Sequence, residues 1–501
     1  MTYSRSALIF ILFFLLFSCQ LRENNETTSQ EYTANWESLS AHNQEPEWFQ
    51  DAKFGIYFHW GVYTVPAYGI EWYPRNMHFP GLINHHHVRN YGEPSEFGYH
   101  DFVPMFKAEN FNADEWVSLF KKAGAKFAGP VAEHHDGYSL WDSDITPWNT
   151  MDKGPNRDIL GELEKAIRAE DMKLVTTFHH ARNLQRYSGQ PDEKEFANSH
   201  YPLFEGMPPS FNDPELNLLY GNIEEGKWLE EVWLGKLKEV IDKYHPDIIW
   251  FDSWLDQIPE KKQLEFCVYY LNEAAKKDQE VVIIRKQDDL PLSVSLNDLE
   301  KSRMNRIDEQ SWMTDETVSK GSWSYTEGLR IKETKDILHV LIDIVSKNGV
   351  LMLNISPMSD GTIPENQKEV LLGIGDWLNK YGEAIYRTRP WHTYGEGPTK
   401  EPEGHFNNNK EFLKIVYSSE DVRYTTKGDF IYASILGWPE NKKEIFFTAF
   451  KNQNHNIKDV ILMGCEEKIT WNLDANYLQV SLPAKKVDDI AIVYKIQVTN
   501  R

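Results

Sequence analysis

The sequence predicts an α/β fold in which a (β/α)8-like TIM barrel is followed by a C-terminal all-β sandwich. Three observations predict it: apolar strand-like runs alternate with segments of helical spacing, several of these runs end on charged or ring-bearing residues, and short alternating strands dominate near the C-terminus. The length of 501 residues suits one barrel and one smaller domain. No Gly-rich phosphate-binding turn follows the first strand, which argues against a doubly wound open sheet.

The run Asp247-Ile248-Ile249-Trp250-Phe251-Asp252 is the most informative of these strands. An apolar strand suits a parallel sheet that is covered on both faces, and a carboxylate at its exit has no packing role there. Asp252 is therefore the first candidate for a catalytic nucleophile. Further strands are expected at 53–58, 126–132, 173–178, 281–284 and 349–353, with helical spacing at 113–123, 159–169 and 229–244.

Strand, helix and strand in alternation imply parallel pairing with right-handed crossovers. In such a barrel the C-terminal ends of the strands share one rim, and active sites lie there. Polar and charged residues follow most of the predicted strands, so the sequence predicts a functional site at this rim.

The N-terminus predicts export. Arg5 precedes an apolar run over 7–17 that is too short to span a bilayer as a stable helix, which indicates a signal peptide over 1–18. Leu16-Phe17-Ser18-Cys19 resembles a bacterial lipobox, with an ordinary cleaved signal as the alternative. We therefore predict a location in the periplasm or at the outer membrane or cell surface of a Gram-negative bacterium. Membrane attachment is expected only through a lipid on Cys19.

Composition divides the mature chain into three parts. Polar residues over 19–45 predict a flexible tether, and the catalytic barrel is expected over 46–388. Arg389-Pro390 marks the boundary to the predicted β-sandwich over 389–501. Short alternating strands such as 430–435 and 491–496, separated by turn residues, are typical of a sandwich.

Charge and aromatic content restrict the partners. The formal charge of −23 lacks the basic footprint of a nucleic-acid-binding protein, so no nucleic-acid partner is predicted. A heavily sulfated polymer would also meet net repulsion unless a local basic patch exists. The 17 Trp residues are mostly expected in the core, but rings at a concave rim suit the apolar faces of sugars.

A retaining glycosidase needs a nucleophilic carboxylate and a second carboxyl group about 5 to 5.5 Å away, which acts first as acid and then as base. Asp252 can be the first of these groups. The second must come from another strand end or loop, and the sequence alone leaves the choice open among Glu71, Glu133, Asp136, Glu300 and Glu309.

The histidines at the strand ends admit two interpretations. His59, His134-His135 and His179-His180 could converge on a metal ion, as in metal-dependent hydrolases built on barrels. However, adjacent strand residues point to opposite faces, and no H-x-H follows the first strand. We therefore predict no metal and no cofactor, and assign the imidazoles to hydrogen bonds with sugar hydroxyl groups.

From about Trp48 to the C-terminus the chain resembles the α-L-fucosidases of glycoside hydrolase family 29. The resemblance implies a barrel followed by a β-sandwich, metal-free retaining hydrolysis of terminal α-linked L-fucose, and a fucosylated glycan as the partner. It is carried by several blocks in the expected order: Phe54-Gly55-Ile56-Tyr57-Phe58-His59-Trp60-Gly61, Glu71-Trp72-Tyr73-Pro74-Arg75-Asn76-Met77, Glu133-His134-His135-Asp136-Gly137, Gly154-Pro155-Asn156-Arg157-Asp158, Trp250-Phe251-Asp252 and Leu353-Asn354-Ile355-Ser356-Pro357.

The resemblance also implies roles for individual residues. Asp252 matches the nucleophile, and Glu300 is the choice for the acid/base, with Glu309 second. Arg285 is expected near the nucleophile. The predicted substrate-binding residues are His59, Glu71, Trp72, His134, His135, His180, Trp250 and Arg285.

Two other classes of function stay open. A non-catalytic surface carbohydrate-binding protein would keep the aromatic pocket, and a metal-dependent barrel hydrolase would use the histidines. Within the fucosidase interpretation, the enzyme acts either on fucosides broadly or on branched α-1,3/1,4-linked ones. Loops over 187–220 and 288–311 are expected to decide this, and the oligomeric state is not specified by the sequence.

Overall fold

The structure is a computed structural model that describes residues 31–184, 200–201, 213–252, 255–286, 289–405, 409–451 and 456–499. The predicted signal peptide, Cys19 and the first part of the predicted tether lie outside these residues, as does much of the loop over 187–220. Across the described residues, no helix is long and apolar enough to cross a membrane.

Eight parallel strands form a closed barrel in the order in which they occur in the chain. The last strand pairs with the first, and Phe54 lies opposite Leu351. This confirms the predicted α/β barrel. The strands are β1 (Phe54–Phe58), β2 (Phe127–Glu133), β3 (Lys173–Phe178), β4 (Ile248–Phe251), β5 (Val282–Lys286), β6 (Leu296–Asp298), β7 (Trp312–Thr317) and β8 (Gly349–Ile355).

Long helices cover the outside of the barrel. They are α1 (Ala113–Ala123), α2 (Ile159–Ala169), α3 (Gly235–Tyr244), α4 (Glu260–Lys276), α5 (Thr334–Ser346) and α6 (Glu365–Tyr381). A π-helical turn over Trp228–Leu234 leads into α3. Shorter helices lie at Trp36–Leu39, Glu47–Ala52, Tyr73–Asn76, Leu82–Tyr91, Asn217–Tyr220, Glu225–Lys227 and Asn409–Phe412.

Local sequence signals fix the ends of these helices. In α1 the side chain of Asn112 accepts a hydrogen bond from the Glu115 N–H and so caps the helix, an interaction that contributes about 1 kcal/mol. Gly124 ends the helix at φ 96°, a left-handed conformation that glycine adopts without a side-chain clash. Trp116 and Phe120 lie on its buried face.

The alternation of side chains along the strands positions the site. In β4, Ile248 and Trp250 point into the barrel and belong to its inner core, whereas Ile249 and Phe251 pack outward among the helices. The next inward position after Trp250 is Asp252. The barrel interior is thus apolar along the strands, and charged side chains begin at their C-terminal ends.

The C-terminal part consists of two antiparallel sheets, as predicted. One has five strands in the order β13-β16-β11-β10-β9, and the other has three in the order β12-β15-β14. Their shared core contains Tyr424, Phe447 and Tyr494. The strands are β9 (Arg389–Glu396), β10 (Val422–Lys427), β11 (Phe430–Ile435), β12 (Glu444–Phe447), β13 (Asn456–Leu462), β14 (Trp471–Leu473), β15 (Leu478–Ser481) and β16 (Ile492–Thr499).

A buried group of five charges joins the barrel to this second part. We call Arg303, Asp343, Lys347, Glu401 and Arg423 the interdomain charge cluster. The Asp343 carboxylate on α5 forms three ion pairs: with Lys347 Nζ at 2.8 Å, with Arg303 Nε at 3.2 Å and with Arg423 Nε of β10 at 2.5 Å. Arg423 also contacts Glu401 at 2.8 Å. Each charge therefore has an opposite charge beside it, which offsets the cost of burial.

Candidate active site

A cavity of about 270 Å³ lies at the C-terminal rim of the barrel. Side chains from many strand ends and from the loops that follow them converge on it. Its lining residues are His59, Glu71, Trp72, His134, His135, His179, Arg182, Trp250, Asp252, Lys286, Glu300, Asp315 and Trp323. Eight of the ten residues predicted for the site are among them, while His180 and Arg285 are not.

Asp252 lies at the base of this cavity, directly after β4. Its Oδ1 is 2.9 Å from Lys286 Nζ, and its Oδ2 is 3.2 Å from His135 Nε2 and 3.6 Å from His179 Nδ1. Burial alone would raise the pKa of Asp252, but the Lys286 ammonium and the two histidines hold it well below its usual range. Asp252 is therefore ionised at neutral pH, as a nucleophilic carboxylate must be.

Lys286 connects Asp252 to a second carboxylate. Its ammonium is 2.6 Å from Glu300 Oε2 as well as 2.9 Å from Asp252 Oδ1. Burial lowers the pKa of Lys286, but Asp252 and Glu300 outweigh that effect and raise it well above its ordinary value. We call Asp252, Lys286 and Glu300 the rim charge cluster.

His59 is held in one orientation by β8. Its Nδ1 lies 2.8 Å from Asn354 Oδ1, and its backbone N–H donates to the same oxygen at 2.9 Å. An acceptor at Nδ1 means that Nδ1 carries the proton, which leaves Nε2 as an acceptor. Burial, reinforced by His179, lowers the pKa of His59 well below its usual value, so the ring is neutral.

His134 and His135 both reach the cavity because β2 has already ended at Glu133, after a register irregularity between Val131 and Glu133. The chain turns there, so the alternation that holds within a strand no longer applies. Burial lowers the pKa of His134 well below its usual value and that of His135 to about 4. Among the described residues, the buried His134 Nδ1 has no hydrogen-bond partner, so it has capacity to bind a polar ligand.

Glu71 and two indole rings complete the wall. Glu71 Oε2 accepts hydrogen bonds from Trp323 N–H and Ser322 Oγ, both at 3.1 Å. Burial raises the pKa of Glu71 despite these bonds. The ring of Trp72 packs edge-on against that of His135, with 5.3 Å between the ring centres. The ring of Trp323 stacks on that of His59, with 5.5 Å between the ring centres. The cavity wall therefore combines apolar ring faces with polar groups. This combination suits a sugar, whose C–H faces are apolar and whose hydroxyl groups form hydrogen bonds.

A second pair of carboxyl groups lies on β6 and β7: Asp298, and Asp315, which lines the cavity. Tyr57 donates a hydrogen bond to Asp315 Oδ2 at 2.8 Å. Burial, together with the charge of Asp315, raises the pKa of Asp298 well above its usual range, which favours its protonated form.

The structure does not bring His180 or Arg285 to the cavity, and in each case an adjacent residue lines it instead. His180 Nε2 lies 3.1 Å from the Trp233 carbonyl oxygen, and its ring stacks on Trp233 outside the barrel. Arg285 Nε donates to Asn297 at 2.8 Å. The inward residues are their neighbours His179 and Lys286, because side chains alternate along β3 and β5.

The other candidate acids lie elsewhere. Glu309 is exposed, and its backbone carbonyl oxygen is 3.4 Å from Asn348 Nδ2. Asn348 directly precedes the N-terminal end of β8, so Glu309 lies at the end of the barrel opposite the rim. Glu133 is buried in an ion pair with Lys236 at 2.7 Å. Asp136 accepts a hydrogen bond from Tyr99 at 2.6 Å and does not line the cavity. Of the candidates for the second carboxyl group, Glu71 and Glu300 reach the cavity.

The histidines also come close enough together to be considered as metal ligands. One nitrogen each from His59, His134 and His179 lie within 4.8 Å of one another, and His135, His179 and Asp252 form a second such group. However, Lys286 Nζ lies 2.9 Å from Asp252 and would repel a divalent cation there. The rim charge cluster therefore disfavours a metal ion in the second group, which contains Asp252.

Several lining residues were missed by sequence reasoning. Counting inward positions at intervals of two from Val175 and from Val282 leads to His179 and Lys286, so the strand period could have found both. Arg182 and Trp323 come from segments that follow β3 and β7, and no period in the sequence indicates where such segments fold.

Two family models match the chain. The model described as Alpha-L-fucosidase matches residues 19–383. The model described as Alpha-L-fucosidase C-terminal domain matches residues 417–499. The two matches fall on the barrel and on the C-terminal sheets.

Individual proteins are similar over most of their length. Tissue alpha-L-fucosidase of Rattus norvegicus is 32% identical over 454 residues, which cover 88% of this chain and 86% of the relative. Plasma alpha-L-fucosidase of Homo sapiens is 29% identical over 464 residues, which cover 90% and 89%. The crystal structure of Thermotoga maritima alpha-fucosidase in complex with fucose superposes with a TM-score of 0.72 at 28% identity, covering 93% of this chain and 99% of that one.

Proposed function

The chain belongs to the alpha-L-fucosidase family of glycoside hydrolases, and from this we propose that it removes terminal α-linked L-fucose from glycans by double displacement with retention of configuration. In this proposal Asp252 is the nucleophile and Glu300 is the acid/base. Fucosylated glycans are the substrate class that the family implies.

The spacing of the two carboxylates supports this proposal most strongly. Lys286 Nζ is 2.9 Å from Asp252 Oδ1 and 2.6 Å from Glu300 Oε2, so these two oxygens are no more than 5.5 Å apart. Retaining glycosidases hold their carboxyl groups about 5 to 5.5 Å apart, whereas inverting enzymes need about 6.5 to 9.5 Å to admit a water molecule. The upper bound of 5.5 Å on the distance between these two oxygens lies below the range of inverting enzymes, and it therefore favours a covalent intermediate.

In the first step, Asp252 attacks C1 of fucose while Glu300 donates its proton to the departing oxygen. The C1–O bond to the leaving group breaks, and an ester forms between C1 and Asp252. Because the pKa of Asp252 is held well below its usual range, the attacking carboxylate is ionised without further proton transfer.

In the second step, Glu300 removes a proton from a water molecule that attacks C1 and releases fucose. Ester formation removes the charge of Asp252, so Lys286 is left with Glu300, at 2.6 Å, as its neighbouring carboxylate. We propose that Lys286 contacts both carboxyl groups in the free enzyme and keeps its contact with Glu300 once the ester has formed.

The remaining side chains would bind the sugar. Neutral His59 and His134 can hydrogen-bond hydroxyl groups, and Glu71 can accept from them. The ring faces of Trp72, Trp250 and Trp323 offer apolar surface for the C6 methyl group of fucose and for its C–H face. A cavity of about 270 Å³ suits one monosaccharide, which is consistent with an exo-acting enzyme.

A mechanism-based label tests the double displacement. Incubation with 2-deoxy-2-fluoro-α-L-fucosyl fluoride, followed by proteolysis and mass spectrometry, should add one fluorofucosyl group to the peptide that contains Asp252. Labelling of a peptide that contains Glu300 or Glu71 instead would overturn the assignment. A chelator should leave hydrolysis of an aryl α-L-fucoside unchanged, whereas a metal-dependent hydrolase would lose its activity.

We also propose that the enzyme is exported and held at the bacterial surface by a lipid on Cys19. The apolar run over 7–17 and the lipobox-like Leu16-Phe17-Ser18-Cys19 support this. Mass spectrometry of the protein from membranes should find a lipidated Cys19 as the first residue, and a chain released by Cys19→Ala would agree. An unlipidated mature chain would contradict it.

A further inference from the structure

A second cleft, of about 740 Å³, begins beside the active-site cavity. Lys301 lines this cleft and directly follows Glu300 in the chain. Its ammonium lies 3.8 Å from the centre of the Trp323 ring, and Trp323 lines the active-site cavity. The contact between Lys301 and Trp323 is thus a boundary that the two cavities share.

The charge of this cleft is opposite to that of the whole chain. Its lining contains five basic residues and three acidic ones, although the chain has 53 basic and 76 acidic residues. The basic residues are Lys301, Arg303, Lys320, Lys332 and Lys335. This is a local basic patch of the kind that an anionic ligand would need on an acidic protein.

Not all of these charges are already neutralised. Arg303 pairs with Asp343 at 3.2 Å, and Lys332 pairs with Glu316 at 2.6 Å. Among the described residues, by contrast, no carboxylate lies within ion-pairing distance of the Lys301, Lys320 or Lys335 ammonium. Lys301 rests against an aromatic face, which stabilises a cation but does not neutralise it.

Apolar side chains from the C-terminal part of the chain line the same cleft. Among them, Leu413 and Val416 have 63% and 83% of their surface exposed. Exposed aliphatic side chains in one cleft with unpaired ammonium groups suit a ligand that has both apolar faces and a negative charge. A sugar that carries an anionic substituent has both.

The position of the cleft identifies the part of the substrate that would enter it. The acid/base of a glycosidase stands beside the departing oxygen, so the leaving-group sugar lies on the side of Glu300. Lys301 and the cleft begin at that point. We infer that this cleft is a subsite for the leaving-group portion of the glycan, and that Lys301 selects a leaving-group sugar carrying an anionic substituent, a sulfate ester or a carboxylate.

This inference rests on the proposed function and is tested with it. Three α-L-fucosyl disaccharides with the same linkage are compared, whose leaving-group sugar is neutral, carries a sulfate ester or carries a carboxylate. The readout is the ratio of kcat/KM for each charged substrate to that for the neutral one. The proteins are wild type, Lys301→Met and, as a control, Lys261→Met, whose side chain is 84% exposed on α4.

For the wild type we expect a ratio of about ten at low salt for at least one charged substrate, the size of one hydrogen bond to a charged group. The ratio should fall toward one as added salt screens the charges. Lys301→Met should bring it to within about twofold of one, and Lys261→Met should leave it unchanged. The charged substrate with the higher ratio identifies whether the cleft prefers a sulfate ester or a carboxylate.

The two failures are distinguishable. Hydrolysis of the neutral fucoside without preference for either charged one would overturn the inference and leave the proposed function standing. A preference that survives in Lys301→Met would also overturn the role of Lys301. Absence of hydrolysis for all three substrates and for an aryl α-L-fucoside would overturn both.

Discussion

The molecule contains two buried groups of charges, one at the rim of the barrel and one between the barrel and the C-terminal sheets. Both pair carboxylates with cations, but they differ in how open the carboxylates are. In the interdomain charge cluster, the side chains of Arg303, Asp343 and Arg423 are at most 4% exposed, and cations surround Asp343. In the rim charge cluster, Asp252 and Glu300 remain 14% and 21% exposed and share the single Lys286. The first group is closed, and the second has carboxylates that face a cavity.

The difference indicates what each group can do. A carboxylate enclosed by cations has its charge fully compensated, so it can hold two parts of a chain together but cannot reach a substrate. A carboxylate that is ionised yet faces a cavity can attack or exchange a proton. Burial and ion pairing do not by themselves mark a catalytic group; the free face toward a cavity does. The predictions below test this contrast.

Asp252→Ala should have the largest effect on activity. Loss of the nucleophile is expected to lower kcat for an aryl α-L-fucoside by about four orders of magnitude or more, while the melting temperature stays close to that of the wild type. Added azide should enter the space left by the carboxylate and give β-fucosyl azide by a single inversion. Kinetics and thermal unfolding are measured on the same preparation, and near-normal turnover would exclude Asp252 as the nucleophile.

Glu300→Ala should lower kcat/KM by about 10² to 10⁴ for substrates with poor leaving groups and much less for activated aryl fucosides. Azide should restore the rate and give α-fucosyl azide, because it attacks the glycosyl-enzyme. Glu309→Ala is the matched control and should behave like the wild type, since Glu309 is exposed away from the rim. If Glu309→Ala shows the leaving-group dependence instead, the assignment is wrong.

Asp343→Asn should affect stability and not chemistry. It leaves three buried cations with Glu401 as the remaining anion of the cluster, and we expect a loss of about 3 to 5 kcal/mol in the free energy of unfolding. The neighbouring cations hold the pKa of Asp343 well below its usual range, so its stabilisation is present above about pH 4 and lost as the pH falls further.

Denaturant unfolding at pH 7 and at pH 3 measures the difference in the free energy of unfolding between the wild type and Asp343→Asn. This difference should be smaller at pH 3. The control is Asp376→Asn, at an exposed position of α6, with a change of less than about 0.5 kcal/mol. A large fall in kcat of the folded Asp343→Asn variant would show that the two charge clusters are not separate.

Lys286→Met should have a clearer effect on the pH profile than on the rate at neutral pH. Without the ammonium, the pKa of Asp252 should rise from well below its usual range, because burial raises it and fewer groups oppose burial. The acid limb of kcat/KM should therefore move upward by about one to three pH units. An unmoved acid limb would mean that Lys286 does not set the ionisation of the nucleophile.

The fold and the position of Asp252 could be predicted because both follow from simple periods, whereas most of the other predicted site residues came from the resemblance to the fucosidases. Ile248 and Trp250 point inward, so Asp252 does too, and the alternation of strands and helices sets the barrel. His180 and Arg285 were chosen from the resemblance, without counting positions from the inward residues of β3 and β5. The period would have selected His179 and Lys286.

Other parts could not be predicted because they depend on tertiary contacts. The chain turns after β2, so both His134 and His135 reach the cavity, and a strict period would have excluded one of them. Trp323 reaches the site through a loop whose Ser322 and Trp323 hydrogen-bond Glu71, which is about 250 positions away. The interdomain charge cluster likewise brings together residues from loops, a helix and a strand whose proximity exists only in the folded chain.

The central claim is that Asp252 and Glu300 perform two displacements at one carbon atom. The most direct test follows the sugar released from an aryl α-L-fucoside by ¹H NMR in the first minutes, before the anomers equilibrate. Two inversions predict that α-L-fucose appears first and that the β anomer grows in later. Initial release of β-L-fucose would contradict the account, because it would mean a single displacement by water.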